Sequence, residues 1–428
     1  MPPEVISILV LVAAFIIATT LSVNMGVLCF AAAFLVATVF GGLSEDDIFD
    51  GFPGDLFVVL VGVTFLFAIA RANGTTDWVV QRAVRLVGGR IALIPWVMFG
   101  IGAVLTAIGA VSPAAVAIVA PIALNLAAQY RINPLLMGAM VVHGTQAGGF
   151  SPISIYGSIV NEVVANSGLP GSPMVLFLGS FAANAVIAGV VFVVFGGLRL
   201  RRASEEKQLV ATGSGGSSET SDDEPAEELR LNRDRALTLT GLAVLVVTTL
   251  GFGLDVGLVA MSVAVVLSVL SPKAGKAAPG EVAWPTVLLI CGVLTYVGVL
   301  EKMGTIDYVG HSVAGIGVPL LAALLLCYIG AIVSAFASSV GIMGALIPLA
   351  VPFLQTGSVG PIGMITAFAV AATVVDVSPF STNGAIVLAN AKDVDKDAFF
   401  RKLLVYGGVI VAAAPLAMWV LLVLPGFG

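Results

Sequence analysis

Charge, histidine and cysteine are what this sequence has least of. Only 10% of its 428 residues are Asp, Glu, Lys or Arg, and it holds His 2 and Cys 3. Cys29, Cys291 and Cys327 sit in apolar segments without metal-ligand spacing, which argues against a disulfide or a metal site and for small buried side chains. Within the apolar spans there is no DDxxD-type acid pair, no HExxH and no Cys/His constellation, so a membrane-embedded enzyme would lack its chemistry. The start, Met1-Pro2-Pro3-Glu4, has neither the basic region nor the small-residue cleavage site of a signal peptide. Val5 to Leu21 is therefore expected to be a retained span. The net charge of −6 says little, because the placement of the charges matters more than their sum.

Apolar residues, at 59%, are too many for a water-soluble fold to hide. Runs almost free of charge, at the roughly 20 residues needed to cross ~30 Å of hydrocarbon, predict an all-α polytopic membrane protein. Spans are expected near 5–22, 26–41 and 56–72, followed by an amphipathic stretch from Asp77 to Leu86. Two apolar arms, 91–111 and 114–130, meet at Ala110-Val111-Ser112-Pro113 without a charged loop. They read as a re-entrant hairpin with its tip buried in protein, although the arms are long enough to cross fully. A span over 134–167 is broken in its middle, and another covers 173–198. Residues 199–235, with Arg199, Arg201 and Arg202 followed by a Ser/Gly/Asp/Glu tract, read as a solvated linker. Spans near 236–254, 257–271 and 285–301 follow, then an amphipathic stretch from Asp307, a hairpin at 317–355, a broken span at 361–391 and a last span at 403–425.

The second half repeats the first. Gly149-Phe150-Ser151-Pro152-Ile153-Ser154-Ile155-Tyr156-Gly157 is echoed by Asp376-Val377-Ser378-Pro379-Phe380-Ser381-Thr382-Asn383-Gly384, every position 227 residues on. Ser112 and Pro121 keep the same register with Ser339 and Pro348. Asn73-Gly74-Thr75 matches Met303-Gly304-Thr305 at a slightly shifted interval of 230. The chain is thus expected to be two repeats, 1–198 and 236–428. Each holds five crossings plus one hairpin, so the two lie upside down relative to each other. With both termini outside and the linker in the cytoplasm, every Lys and Arg except Lys302 falls on the cytoplasmic side, and the outer loop from Ser44 to Asp55 carries only acids.

Inverted repeats whose broken helices converge at mid-bilayer are how secondary transporters build a site. Ser112-Pro113, Ser151-Pro152 and Ser378-Pro379 each place an N-cap residue before proline, and Ser338-Ser339 can cap a fourth segment. Four helix N-termini would aim free N–H groups, with roughly +0.5 charge each, at one cavity suited to a small anion. No Lys or Arg lies in these breaks. A dianion moving into a cell that is negative inside works against about 2.3 kcal/mol per charge per 100 mV. Cation coupling answers both problems. Hydroxyls, amides and glycine carbonyls freed by the breaks suit sodium, two ions making dianion uptake electroneutral and a third letting the potential drive it.

Two inverted repeats, each with a hairpin before a broken helix, resemble the ion transporter superfamily and its divalent-anion:sodium symporters. Gly51-Phe52-Pro53-Gly54-Asp55-Leu56-Phe57 and the run to Arg71-Ala72-Asn73-Gly74 are similar to the dicarboxylate carriers of malonate-uptake (MatC) type. The resemblance implies a homodimer in the cell membrane with scaffold and transport domains, an elevator-like movement, a small dicarboxylate substrate, and sodium sites between each hairpin tip and the adjacent break. The symporters' Ser-Asn-Thr tips are here Ser112-Pro113-Ala114 and Ser338-Ser339-Val340. The expected substrate contacts are Ser112, Pro113, Ser154, Tyr156, Gly157, Ser338, Ser339, Thr382 and Asn383. The expected sodium ligands are Ser112, Gly149, Ser151, Ser154, Ser339, Asp376, Ser378 and Ser381. Membrane lipid is the other partner; no nucleic acid and no organic cofactor are expected.

Other polar residues in the spans have competing readings. Asp376 is a sodium ligand, a proton carrier, or a charge complementing the half-helix after it. His143, with Gln146 behind it, is a hydrogen-bonded structural histidine or a proton-coupling group. Glu162 is a headgroup-level charge or an ion ligand, and Asn24 and Asp255 are expected to cap turns between spans.

Overall fold

The computed structural model describes residues 2–21, 23–85, 90–198, 200, 231–314, 318–335, 339–355, 357–391 and 394–426. Among them there is no strand. The helices before the linker are α1 Pro3–Leu21, α2 Met25–Val36, α3 Glu45–Asp50, α4 Gly54–Ala72, α5 Thr75–Arg85, α6 Ile94–Ala107, α7 Ser112–Tyr130, α8 Pro134–Gly148, α9 Ile155–Asn166 and α10 Pro173–Val194. Those after it are α11 Arg233–Phe252, α12 Val256–Leu270, α13 Pro272–Ala277, α14 Trp284–Lys302, α15 Thr305–Ala314, α16 Pro319–Ser334, α17 Ser339–Gln355, α18 Pro361–Val374, α19 Thr382–Asn390 and α20 Lys396–Met418. A π turn carries α2 on to Gly41 and another carries α20 on to Val423.

Among the described residues six helices are long and apolar enough to cross a membrane, and shorter apolar ones stand beside them, as in a multi-pass membrane protein. The first hairpin arms, α6 and α16, have 14 and 16 residues, about 21 and 24 Å at 1.5 Å per residue, less than the hydrocarbon thickness. Side-chain caps set many of the boundaries. Asn24 accepts from the amides of Gly26 (2.9 Å) and Val27 (3.3 Å), and Asp255 from that of Leu258 (2.7 Å), so both cap turns. The linker ends earlier than its composition indicated. Asn232 caps a helix that already begins at Arg233, accepting from the Arg235 amide at 2.8 Å.

Helices after the linker recur in the order of those before it, and the two series interlock. In one layer α2 packs on α14, and α4 packs on α12. Both crossings need glycine. A Cβ on Gly26 would lie 1.8 Å from the Leu288 carbonyl oxygen, and one on Gly257 would lie 2.7 Å from the Val59 Cα. These glycines let the backbones touch, which is how helices gain contact where lipid supplies no hydrophobic drive. In the other layer α8 packs against α6, α7 and α10, and α18 against α16, α17 and α20. Each hairpin arm then crosses to the opposite series: α7 lies on α19, and α17 lies on α9.

Ion pairs clamp both ends of the first layer. Arg71 pairs with Glu281, and Lys302 reaches Asp47 (3.1 Å) and Asp50 (3.0 Å). Lys302 is therefore neutralised where it stands. The acidic loop after α2 holds a short helix rather than coil, with Ser44 and Asp47 forming a capping box at its start. Asp47 has its carboxyl held down to about 2, first by the Ser44 hydroxyl, then by the Ser44 amide and Lys302.

Candidate functional site: a cavity at the two helix breaks

The two breaks share one serine frame, atom for atom. In the first, the Ser154 hydroxyl donates to the carbonyls of Gly149 and Ser151 and accepts from the Gly157 amide at 3.2 Å. In the second, the Ser381 hydroxyl donates to the carbonyls of Asp376 (2.7 Å) and Ser378 (2.7 Å) and accepts from the Gly384 amide at 3.2 Å. One serine in each break thus satisfies two carbonyls and caps the next half-helix. Glycine three residues on is obligatory: a Cβ at 157 would sit 2.0 Å from the Ser151 carbonyl oxygen, and one at 384 would sit 1.9 Å from that of Ser378.

This corrects the expected start of the half-helices. Ser151-Pro152 and Ser378-Pro379 form the turn of each break, and the helices begin at Ile155 and Thr382, with Ser154 and Ser381 as N-caps. Ser151 instead donates to the Ala107 carbonyl, tying the break to the end of α6. Nor does Ser112 cap α7. That helix starts at Ser112 itself, after Val111, and the Ser112 hydroxyl donates to Thr145 at 3.0 Å. Ser338 lies outside the described residues, while Ser339 opens α17.

A cavity of ≈ 580 Å³ lies where the breaks meet the first layer. The first turns of four helices reach it: Pro113 of α7, Tyr156 of α9, Ser339 and Val340 of α17, and Thr382 of α19. Opposite them stand Phe15, Asn24 and Met25 of the α1–α2 corner and Pro285, Thr286 and Leu289 of α14. Four helix starts thus converge on one space. Its lining includes one charged residue, Asp376, and no cation.

Behind this wall runs a buried polar chain linking both hairpins and both breaks. Gln146 Nε2 donates to Asp376 Oδ2 at 3.0 Å, Asn383 Nδ2 contacts the same oxygen at 3.4 Å, and Ser339 also hydrogen-bonds to Asp376. Asn383 Nδ2 donates to the Ser112 hydroxyl at 3.0 Å, and Ser334 donates to Ser339 at 2.7 Å. The amide oxygens of Gln146 and Asn383 are buried and have no hydrogen-bond partner.

Of the expected contacts, Pro113, Tyr156, Ser339, Asp376 and Thr382 line the cavity. Ser112 and Asn383 stand behind them in the polar chain, and Gly149, Ser151, Ser154, Gly157, Ser378 and Ser381 build the frames of the breaks. Two residues lie elsewhere. His143 has both ring nitrogens engaged, Nδ1 with Asn184 Oδ1 (2.9 Å) and Nε2 with the Tyr406 hydroxyl (2.6 Å), which pins α8 to α10 and α20. Glu162 lines a separate cavity beside Asp50, Glu301 and Asp307 and accepts from Asn166. Gln146 was absent from the expected site. Its sequence signal is slight: it lies one turn ahead of Gly149, the repeat counterpart of Asp376.

Residues 1–149 match the family model described as the dicarboxylate carrier protein MatC N-terminus. No curated protein matches the chain by sequence. The fold is shared with the crystal structure of the Alcanivorax borkumensis YdaH transporter, described as having an unusual topology. The TM-score is 0.61 at 14% identity, over 98% of this chain and 98% of that one.

Proposed function

We propose that this chain is a secondary transporter of the cell membrane that imports a small dicarboxylate, malonate being the type substrate, together with sodium. The observation that carries this reading is the convergence of α7, α9, α17 and α19, by their first turns, on one cavity. Those turns offer unpaired N–H groups and partial positive charge without a fixed cation, a setting that favours a small anion accompanied by mobile cations. The carrier-type match over residues 1–149 and the transporter fold support the same reading.

Placing the basic residues inside puts the α1–α2 corner and the start of α14 at the cytoplasmic face, so the cavity faces the cytoplasm. The halves α6–α10 and α16–α20 would move together as an elevator against α1–α5 and α11–α15, with the latter forming the homodimer contact. A second reading, proton coupling, is favoured by the carboxylate of Asp376 in the cavity wall.

The test is uptake of labelled malonate into proteoliposomes under an inward sodium gradient, against potassium and against a pH gradient, with succinate and citrate as competitors. Sodium-dependent uptake is the expected result. Uptake driven by the pH gradient alone would replace sodium with protons, and no dicarboxylate uptake under any gradient would remove the substrate assignment.

A further inference from the structure

We propose that the cleft where α5 meets α6 and α11 binds one anionic phospholipid, with an acyl chain in the cleft, an ester carbonyl on Thr76 and the phosphate at Arg235. The cleft holds ≈ 390 Å³ between Ala70 of α4, Thr76 and Val79 of α5, Val104 of α6, and Leu239 and Ala243 of α11. Apart from Thr75 and Thr76 its lining is apolar. Val104 and Val247 line it while 54% and 57% exposed, so it opens sideways, toward hydrocarbon in a membrane. Water does not suit it, since a buried water needs several polar partners. Helix α11 packs along α12 and only touches α4 and α5. A tie near its start holds it there: Asn73 Nδ2 donates to the Thr238 hydroxyl at 2.7 Å, while Asn73 Oδ1 accepts from the Thr75 hydroxyl at 2.5 Å. Beyond that tie the helices part and leave the cleft.

Thr76 carries the argument for a ligand. It is 3% exposed and lines the cleft, and its hydroxyl has no hydrogen-bond partner, although buried polar groups are as a rule satisfied. The other copy places no hydroxyl here. In the 230-residue register Thr76 corresponds to Ile306, which joins the apolar core around Leu11 and Ala14 of α1. Depth and charge fit a phospholipid. Helix α5 is amphipathic, with Arg82 5.7 Å from the centre of the Trp78 ring, the make-up of a helix lying at headgroup level. Thr76, in its first turn, therefore meets the cleft at the depth of ester carbonyls. Arg235 stands one turn before Leu239 on the same face of α11. A Cβ on Gly74 would lie 3.2 Å from Arg235 Nη2, which puts the guanidinium beside the start of α5. Arg82, Arg85 and Arg233 stand on the same two helices with Asp77 and Asp234, and Asp234 accepts from the Ser271 hydroxyl at 2.7 Å. The balance is positive, which matches an anionic headgroup better than a zwitterionic one. A lipid here would lie between α6, in the half proposed to move, and the first layer. That role rests on the transport reading, whereas the site rests on the membrane fold alone.

The test is native mass spectrometry of the purified, delipidated full chain titrated with dioleoylphosphatidylglycerol or dioleoylphosphatidylcholine, with thermal unfolding recorded for each variant. Wild type is expected to hold one phosphatidylglycerol about 5-fold more tightly than phosphatidylcholine, near the worth of one arginine at a charged headgroup. Arg235→Gln should erase that preference, and Thr76→Val should weaken both lipids by about 5-fold through the lost hydrogen bond. Ala243→Phe, which fills the cleft and leaves every arginine, should abolish the tight site. Should Arg235→Gln fail to fold, Thr76→Val and Ala243→Phe carry the test. Equal affinity of wild type for the two lipids would overturn the site, as would wild-type binding in an Ala243→Phe protein that unfolds at the wild-type temperature. An equal loss of preference in Arg131→Gln, at the α7–α8 turn, would reduce the effect to general surface charge and overturn it too. A chain that passes these tests and moves no dicarboxylate would instead sink the transport reading and leave the lipid site standing.

Discussion

The pair α7/α19 and the pair α9/α17 are the same joint made twice, a hairpin arm of one series laid on the half-helix of the other. They differ in what else they touch. The α17 arm also packs along α14 and α15, and α9 meets α4; α7 and α19 have no comparable packing against α2, α4 or α14 among the described residues. The break-lined cavity, which all four helix starts reach, has on its α7/α19 side an exposed Thr382 and a Phe380 that is 52% accessible. One joint is packed against the first layer and the other is not. On the proposed transport reading, two equivalent joints packed unequally would suit alternating access, because exchanging their roles would present the same site to the other face.

The largest expected effect comes from breaking what the joints share. Gly157→Ala and Gly384→Ala would each drive a methyl to within about 2 Å of a carbonyl oxygen in a buried frame, where no flexible side chain can yield. Each variant should lose uptake and unfold at lower temperature, with a stability cost of roughly 1–3 kcal/mol or more. Near-equal losses would mean that both frames are needed in their present form. A Gly384→Ala protein that kept wild-type uptake would show that the open-side frame deforms freely.

Next in size is the difference in access. A cysteine at Thr382, on the open side, should react with a membrane-impermeant maleimide from the cytoplasmic face, and sodium with malonate should slow the reaction by about 10-fold or more as the joint closes. The native cysteines do not interfere, being 0%, 2% and 0% exposed at Cys29, Cys291 and Cys327. A cysteine at Pro352, on the outer side of α17, should label from outside only. Labelling of both positions from one face would contradict the inverted arrangement.

How much of this was legible depended on range. The 227-residue register located both breaks and four helix starts, because a repeated Ser-Pro-x-Ser run with glycine behind it is a local pattern. The wrong serine was assigned the cap. Ser-Pro looks like a helix start, but the spacing that matters is Ser154 to Gly157, where a hydroxyl meets an amide three residues on and a Cβ would not fit. Gln146 could not be found this way. Its role depends on Asp376, 230 residues distant, and on a carboxylate that one repeat has and the other replaces with Gly149. The cavity wall from α1, α2 and α14 was hidden for the same reason: nothing in those apolar runs says which face meets a site.

The smallest effect tests whether the clamps at the two ends of the first layer are also equivalent. Lys302→Met removes two solvent-facing ion pairs and Arg71→Met one, and each variant should shift the midpoint of thermal unfolding by no more than about 3 °C, since such pairs add little in water. The outer clamp has an acid dependence of its own. Asp47 is held down to about 2, below the ~3.9 of a free aspartate, so its contribution is complete above about pH 4 and fades as pH falls through about 2. Its first cause is the Ser44 hydroxyl rather than Lys302, so Ser44→Ala should flatten the acid limb of the unfolding profile more than Lys302→Met does. The reverse order would make the interhelix ion pair, and not the capping box, what holds α3 against the end of α14.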